Sequence, residues 1–596
     1  MFQKTTMAVA VAAATLLLAA CGGNGDNNGA VIAPPAPTTG NLISAPTTTA
    51  SLTAAQFNGA LQASPSGQQL VQLTGAPVCG FDISHIQYNT TGAAGEPTTA
   101  SGAIMVPTGT DPQCTGKRPV VLYAHGTTIS KGYNMAALLD SNNAASGEAT
   151  LVAAAFAAQG YIVIAPNYAG YDTSTLSYHP YVNYAQQSQE MIDALRAGRT
   201  GLPTLAAGAN TSDSGKLFVT GYSEGGYVAM AALKAMDAQH IPVTAGAPMS
   251  GPYSLAAYGD AVFYGNTPIG GTVFAPLLTA GYQKAYGNIY NTTADAYTSA
   301  YATGIDTLFP TTLSQTQIFA SGKLPLTAMF QKAPTGSPLL DALSPPPVTA
   351  TTPDFSFGFD PTNYLINTSY RAAYLADAQA NPDGVLPVLN ANSPLPAATP
   401  ANTLRQAFKK NDLRGYIPSM PVLMCGGNQD PTVFFAPNAK VMGGLFGNFA
   451  ASGAPVKFAL LDVDTTTAAT SSFSSVGLSA TATSTLNATA TALQGGFAGA
   501  AAALQAGAPA EGQKFTNAVT AAVMAGHTLA EAQGIAAAQF PDGATFASTY
   551  QKALTGGASA AQASVLGSNA VVASNYHGSL VPPFCTTAAR TFFQQF

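Results

Sequence analysis

Apolar and polar residues alternate from Phe81 to Tyr88, the pattern of a strand with one buried face, and Ala100 to Val106 reads as its partner across a Gly-containing turn. Further along, the pattern changes to short unbroken apolar runs: Pro119 to Ala124, Tyr161 to Ala165, Lys216 to Thr220, Pro421 to Met424 and Val456 to Leu461. Runs of this length, separated by helix-compatible stretches, are the signature of strands buried on both faces. They predict an α/β fold, a mostly parallel central sheet with helices on both faces.

Two long stretches interrupt this rhythm. Residues 258–415 are rich in Tyr and Phe, with helical patches broken by Pro, and predict a cap over a ligand site in which most aromatics form the cap's own core. Residues 464–570 are rich in Ala, Thr and Ser and, after Asp464, hold five charged side chains: Glu511, Lys514, Glu531, Asp542 and Lys552. They predict a second, mainly helical insertion with a low-complexity approach. Within it Gly526 closes one helix, Thr528 and Glu531 form a capping box for the next, and Pro541 to Gly543 reads as a turn before a helix through Phe546, Tyr550 and Leu554. The remaining segments are a first core part over 54–257, a second over 416–463 and a C-terminal core segment over 571–596.

The amino terminus is of another kind. Lys4, an apolar run from Met7 to Leu18, and Ala19 and Ala20 before Cys21 have the layout of a secretory signal over 1–20. The run is too short to span a bilayer. Leu18-Ala19-Ala20-Cys21 resembles the lipobox of bacterial lipoproteins, which implies export, a lipidated Cys21 and anchoring in an envelope membrane, with the outer membrane expected and plain secretion as the alternative. Residues 21–53, largely Gly, Asn, Pro and Thr, read as a flexible tether.

Composition narrows the function classes. Only 8% of the 596 residues are charged, the net charge is −6, and no basic excess exists to neutralise phosphates, which excludes nucleic acid as partner. A chain that is 47% hydrophobic is not intrinsically disordered. Apart from Cys21 there are four cysteines, Cys79, Cys114, Cys425 and Cys585, and export favours two disulfides. Three pairings are possible; Cys79–Cys114 with Cys425–Cys585 is expected, since each pair brackets one half of the layout. No metal-ligand spacing occurs among them.

The chemistry centres on Gly221-Tyr222-Ser223-Glu224-Gly225, which matches the G-x-S-x-G nucleophile elbow. The pentapeptide alone is a weak signal, but an apolar run ends at Thr220 and a helix-compatible run begins at Gly226. Upstream, His125-Gly126-Thr127-Thr128 follows a predicted strand, so the backbone amides of Thr127 and Glu224 are expected to form an oxyanion hole. His125 precedes the nucleophile and reads as structural. Among the later histidines, His240 ends a helix and His527 lies between two helices, whereas His577 is near the C-terminus, where this architecture takes its base from a loop after the last strand. The acid follows the preceding strand: Asp430 in a Gly-rich loop is the first choice, and Asp462 and Asp464 are the alternatives.

Taken together, His125-Gly-Thr, the Ser223 elbow, Asn167 to Gly170 with His179-Pro-Tyr181, and Asn411-Asp412 before the Asp430 loop resemble bacterial relatives of the secretory lipase family of α/β-hydrolases. The resemblance implies a serine carboxylesterase or lipase with a helical cap between the sixth and seventh strands; the residues themselves point to Ser223, His577 and Asp430 as its triad, and the aromatic cap argues for an apolar acyl or aromatic portion in the ester. Two departures stand out: Asn167 where an aspartate is expected, and about a hundred residues between the last strand and His577. No zinc-protease, P-loop or dinucleotide motif occurs, so neither metal nor organic cofactor is expected. The rival readings are a serine peptidase or acyltransferase on the same fold and a non-catalytic surface-binding lipoprotein.

Overall fold

The apolar runs become the strands of one mixed sheet. The computed structural model describes residues 39–349, 353–386, 394–466 and 476–596. The signal segment 1–20 and Cys21 lie outside the described residues. In chain order the strands are β1 (Thr47–Leu52), β2 (Gly80–Thr91), β3 (Pro97–Thr108), β4 (Gly116–Ala124), β5 (Ile162–Pro166), β6 (Thr211–Tyr222), β7 (Ala245–Met249), β8 (Phe330–Gln331), β9 (Phe359–Asp360), β10 (Val422–Gly426) and β11 (Phe458–Asp462). The central sheet runs β1-β2-β3-β5-β4-β6-β7-β10-β11, and β8 pairs with β9 inside the cap. Its neighbours are parallel from β5 through to β11, and β3, β2 and β1 extend it antiparallel. Every residue of β5, β7 and β10 is buried, so helices cover both faces and only continuous apolar runs fit there. Disulfides join Cys79 to Cys114 and Cys425 to Cys585. No described helix is long and apolar enough to cross a membrane.

The end of the segment expected to be a tether over 21–53 belongs to the sheet. It forms β1, which pairs antiparallel with β2, and Gly40 and Ile43 already donate backbone hydrogen bonds to Asn89 and Gln87. A Thr-rich edge strand carries no apolar alternation, yet β-branched Thr suits the pleated conformation. With β1 added at the edge, the cap leaves the sheet after β7, the sixth of the strands expected from the sequence, and the chain returns to it at β10. Most cap aromatics are internal to it, as expected: Tyr282, Tyr297, Phe359 and Tyr374 are buried. Two buried arginines also bind the cap internally. Arg405 contacts Asp260 at 2.9 Å and Asp377 at 2.8 Å, and Arg414 contacts Asp383 at 2.7 Å and Asp412 at 2.9 Å.

The second insertion is more ordered than its composition suggests. A 45-residue helix, Ala480–Met524, occupies most of the stretch read as a low-complexity approach. Its buried residues Leu486, Ala490, Leu493 and Phe497 recur at intervals of four, three and four, one stripe of a helix, and farther along Ala508 and Gly512 face Phe546 of a neighbouring helix. The capping box of Thr528 and Glu531 opens Leu529–Gln539. Pro541 to Gly543 is not a turn but the first turn of helix Pro541–Thr555, because a proline at the first helical position gives up only an N–H that has no intrahelical partner. The last helix of the insertion, Ala560–Asn575, crosses the boundary expected at 570 and continues through a π-helical turn, Tyr576–Leu580, into Val581–Phe593.

Candidate active site

The elbow forms at the end of β6, where Ser223 stands between the strand and helix Glu224–Ala238 with φ +61° and ψ −123°. This is a left-handed conformation that a side chain rarely adopts, and it lifts the serine out of the strand-to-helix path. The flanking glycines are required by contact. A Cβ on Gly221 would lie 2.5 Å from the carbonyl oxygen of Ala124, and one on Gly225 only 2.0 Å from the same oxygen. Helix, β6 and β4 therefore approach at backbone distance.

Three of the residues singled out in sequence meet at this point. His577 Nε2 lies 2.7 Å from Ser223 Oγ, and His577 Nδ1 lies 2.6 Å from Asp430 Oδ2. Asp430 also accepts hydrogen bonds from the amides of Thr432 (2.9 Å) and Val433 (3.0 Å) through Oδ1, which fixes the carboxylate in plane. A carboxylate only accepts, so Nδ1 carries the imidazole proton and Nε2 is left to accept from the serine hydroxyl. The histidine does not sit on a loop. It occupies the π-helical turn, a wide turn common at functional sites, and the backbone carbonyl of His577 accepts from Tyr222 Oη at 2.7 Å.

The other candidates lie elsewhere. His240 and His527 are exposed, and the carboxylate nearest His527 is Glu531 at 4.0 Å. Asp462 accepts from Asn428, with burial pushing its carboxyl up to about 6, and Asp464 accepts from Tyr576. His125 is fully buried between the rings of Tyr168 and Tyr133, and burial lowers its pKa. It holds the loop before Thr127 through Gly126 O (2.7 Å) and Asn167 O (3.2 Å). That loop runs beside the nucleophile: a Cβ on Gly126 would lie 3.7 Å from Ser223 Cβ. Asn167, in place of an aspartate, donates to Ser101 Oγ, which in turn donates to the Asp172 carboxylate at 2.6 Å, and accepts from the Met135 amide.

Sequence reading missed what surrounds Glu224. Its carboxylate is buried against His179 Nε2 at 2.6 Å and Gln187 Nε2 at 2.7 Å. Burial alone would lower the His179 pKa, but the Glu224 charge and hydrogen bond outweigh it, and the net shift is upward. Both ring nitrogens face acceptors, Glu224 and the Ala169 carbonyl, as an imidazolium requires. The only sequence cue was His179 beside Pro180, with no sign of its partner 45 residues on.

Beside Ser223 a cavity whose empty space, counting the part open to solvent, is about 930 Å³ extends into the cap. Leu255, Tyr258, Phe274, Leu278 and Phe408 are among its lining residues, and nearly all of its surface is apolar. Among the described residues no group of three His, Cys, Asp or Glu side chains is arranged to hold a metal ion.

Sheet order, elbow and cap together define the class: the chain is a serine hydrolase of the α/β-hydrolase superfamily. A family model described as the prolyl oligopeptidase family matches residues 148–263, the stretch that contains the elbow. Among solved structures, the rice cell wall degrading esterase LipA from Xanthomonas oryzae is similar at 25% identity, covering 72% of this chain and 92% of that one with a TM-score of 0.54. A ligand-bound form of it gives 24% identity over the same shares and a TM-score of 0.55. Lipase A of Candida antarctica gives 13% identity over 71% of this chain and 76% of that one, with a TM-score of 0.41. No curated protein matches the sequence.

Proposed function

We propose that the chain is a carboxylic-ester hydrolase in which Ser223 attacks the ester carbonyl, His577 takes and returns the proton, and Asp430 orients the imidazole and stabilises its charged form. The observation that carries this is the hydrogen-bonded series Ser223 Oγ, His577 Nε2, His577 Nδ1 and Asp430 Oδ2 at 2.7 and 2.6 Å. The amides of Thr127 and Glu224 bind the oxyanion; Glu224 opens a helix, so its N–H has no carbonyl one turn earlier to bond. The acyl-enzyme then hydrolyses. The apolar cavity beside Ser223 supports an apolar acyl or aromatic group as substrate, and the similarity to an esterase supports an ester over other electrophiles. Lipidation at Cys21 would place this activity at an envelope membrane.

The elbow's match to a prolyl oligopeptidase model favours one second reading, a serine peptidase with the same three residues. Hydrolysis of p-nitrophenyl esters of graded chain length, beside p-nitroanilides of the same acyl groups, separates the two. The ester reading expects turnover of C4 to C10 esters at least a hundredfold above the anilides and its loss in Ser223→Ala. Unchanged activity in Ser223→Ala removes the mechanism, and preference for the anilide selects the peptidase.

A further inference from the structure

Of everything around the base, Tyr576 is placed most unusually. Its hydroxyl donates to Asp464 Oδ2 at 2.5 Å and accepts the backbone N–H of Gln429 at 3.2 Å. Gln429 directly precedes Asp430, and Tyr576 directly precedes His577. One buried hydroxyl thus ties together the backbones on both sides of the Asp430–His577 hydrogen bond. Asp464 is itself fixed, its Oδ1 accepting from the Thr466 amide at 2.9 Å and the Thr466 hydroxyl at 2.6 Å. The hydroxyl end of the ring presses on the acid's loop: a Cβ on Gly427 would come within 2.3 Å of Tyr576 Oη, so only glycine admits it. From the other side the insertion closes in. Phe497 of the 45-residue helix packs edge-on against the Tyr576 ring at 5.4 Å, and Gln494 of the same helix donates to the Asp462 carbonyl at 2.8 Å.

We propose that Tyr576 is a positioning residue, and that through it the Ala/Thr-rich insertion holds His577 in register with Asp430. The inference rests on the triad reading above. It gives the insertion a role, since a base reached through a hundred-residue detour and seated on a π-helical turn has no strand-end loop to define its place. The Phe497 ring, the Tyr576 hydroxyl and Asp464 define it instead. Because misplacing a catalytic group by about 1 Å can reduce turnover about a hundredfold, a clamp here acts on kcat and not on substrate binding.

The test is Tyr576→Phe, which keeps the ring and its packing and deletes only the hydroxyl, in purified protein with rates scaled to the folded fraction. On p-nitrophenyl butyrate the expected result is a kcat at least fivefold lower with KM within twofold of wild type. The rate of Ser223 labelling by a fluorophosphonate falls by the same factor. Asp464→Ala, which leaves the tyrosine hydroxyl without its acceptor, lowers kcat at least fivefold as well, and His527→Ala in the exposed turn of the same insertion matches wild type. A smaller fall in Tyr576→Phe, a change confined to KM, or Asp464→Ala as active as wild type overturns the clamp. If wild type hydrolyses no ester, the ester reading fails while the labelling rates still decide the clamp.

Discussion

The Cys425–Cys585 disulfide closes a loop of 160 residues, whereas Cys79–Cys114 closes one of 35. Both are buried, but they join different things. Cys425 lies in β10, which leads into the Asp430 loop, and Cys585 lies in helix Val581–Phe593, which follows the turn carrying His577. Chain entropy makes the longer loop the more stabilising one, at about 5 kcal/mol against about 4 kcal/mol for the shorter. Since a folded chain is stable by only about 5–15 kcal/mol, losing the longer crosslink brings it close to unfolding. The expectation is that Cys425→Ala/Cys585→Ala lowers the free energy of unfolding by about 1 kcal/mol more than Cys79→Ala/Cys114→Ala. It also loses ester hydrolysis at urea concentrations where its far-UV circular dichroism is still native, because the acid and base come apart before the sheet does. In the Cys79→Ala/Cys114→Ala protein the two probes coincide. Urea titrations at 15 °C, followed by activity and by dichroism on both variants, measure this. Coincident curves for Cys425→Ala/Cys585→Ala, or a larger loss of stability in the other variant, refute the reasoning.

Three further outcomes follow from particular side chains. Glu190 is fully buried, and burial raises its pKa from 4.5 to about 7. Between those values the folded chain holds a proton that the unfolded chain has released, so stability falls as pH rises across that window, by about 3 kcal/mol in all. Glu190→Gln therefore shrinks the difference in unfolding free energy between pH 4.5 and pH 7.5 by that amount, and an unchanged difference in urea titrations assigns the slope elsewhere. Gly225→Ala drives a methyl to 2.0 Å from the Ala124 carbonyl oxygen and costs more than about 3 kcal/mol, above the usual overpacking range, whereas Gly444→Ala, with open space around its Cβ on a helix, gains up to about 1 kcal/mol. Thermal midpoints of the two variants check the contrast. Ala275→Trp fills part of the cavity wall within the cap, and is expected to lower kcat/KM for p-nitrophenyl decanoate at least tenfold while p-nitrophenyl acetate stays within threefold. Equal effects on both esters would mean that the acyl chain does not run into this cavity.

How much of this was legible follows from what each feature depends on. The buried strands announce themselves because a strand covered on both faces must be apolar throughout, and the elbow does so because its glycines answer to backbone contacts at 2.0–2.5 Å that no other residue survives. Ser223, Asp430 and His577 could be ordered from a single chain because each stands at the end of a strand or near the C-terminus, where position alone carries information. Features built from relations across the chain were not visible. β1 is a strand through its pairing with β2, not through any alternation of its own, and the Glu224 carboxylate is readable as a buried partner only once His179 and Gln187 are beside it. The long insertion helix is the instructive case. Its Ala, Thr and Ser residues hide a stripe at Leu486, Ala490, Leu493 and Phe497 whose spacing was there to be counted, but whose purpose was not, because the surface it covers is assembled from Tyr576 and Phe584 almost ninety residues later. The scarcity of charge has the same origin. Arg405 and Arg414 meet four aspartates inside the fold, and a helix that presents its stripe to the protein and small neutral residues to the outside has no position at which an ionic side chain is required.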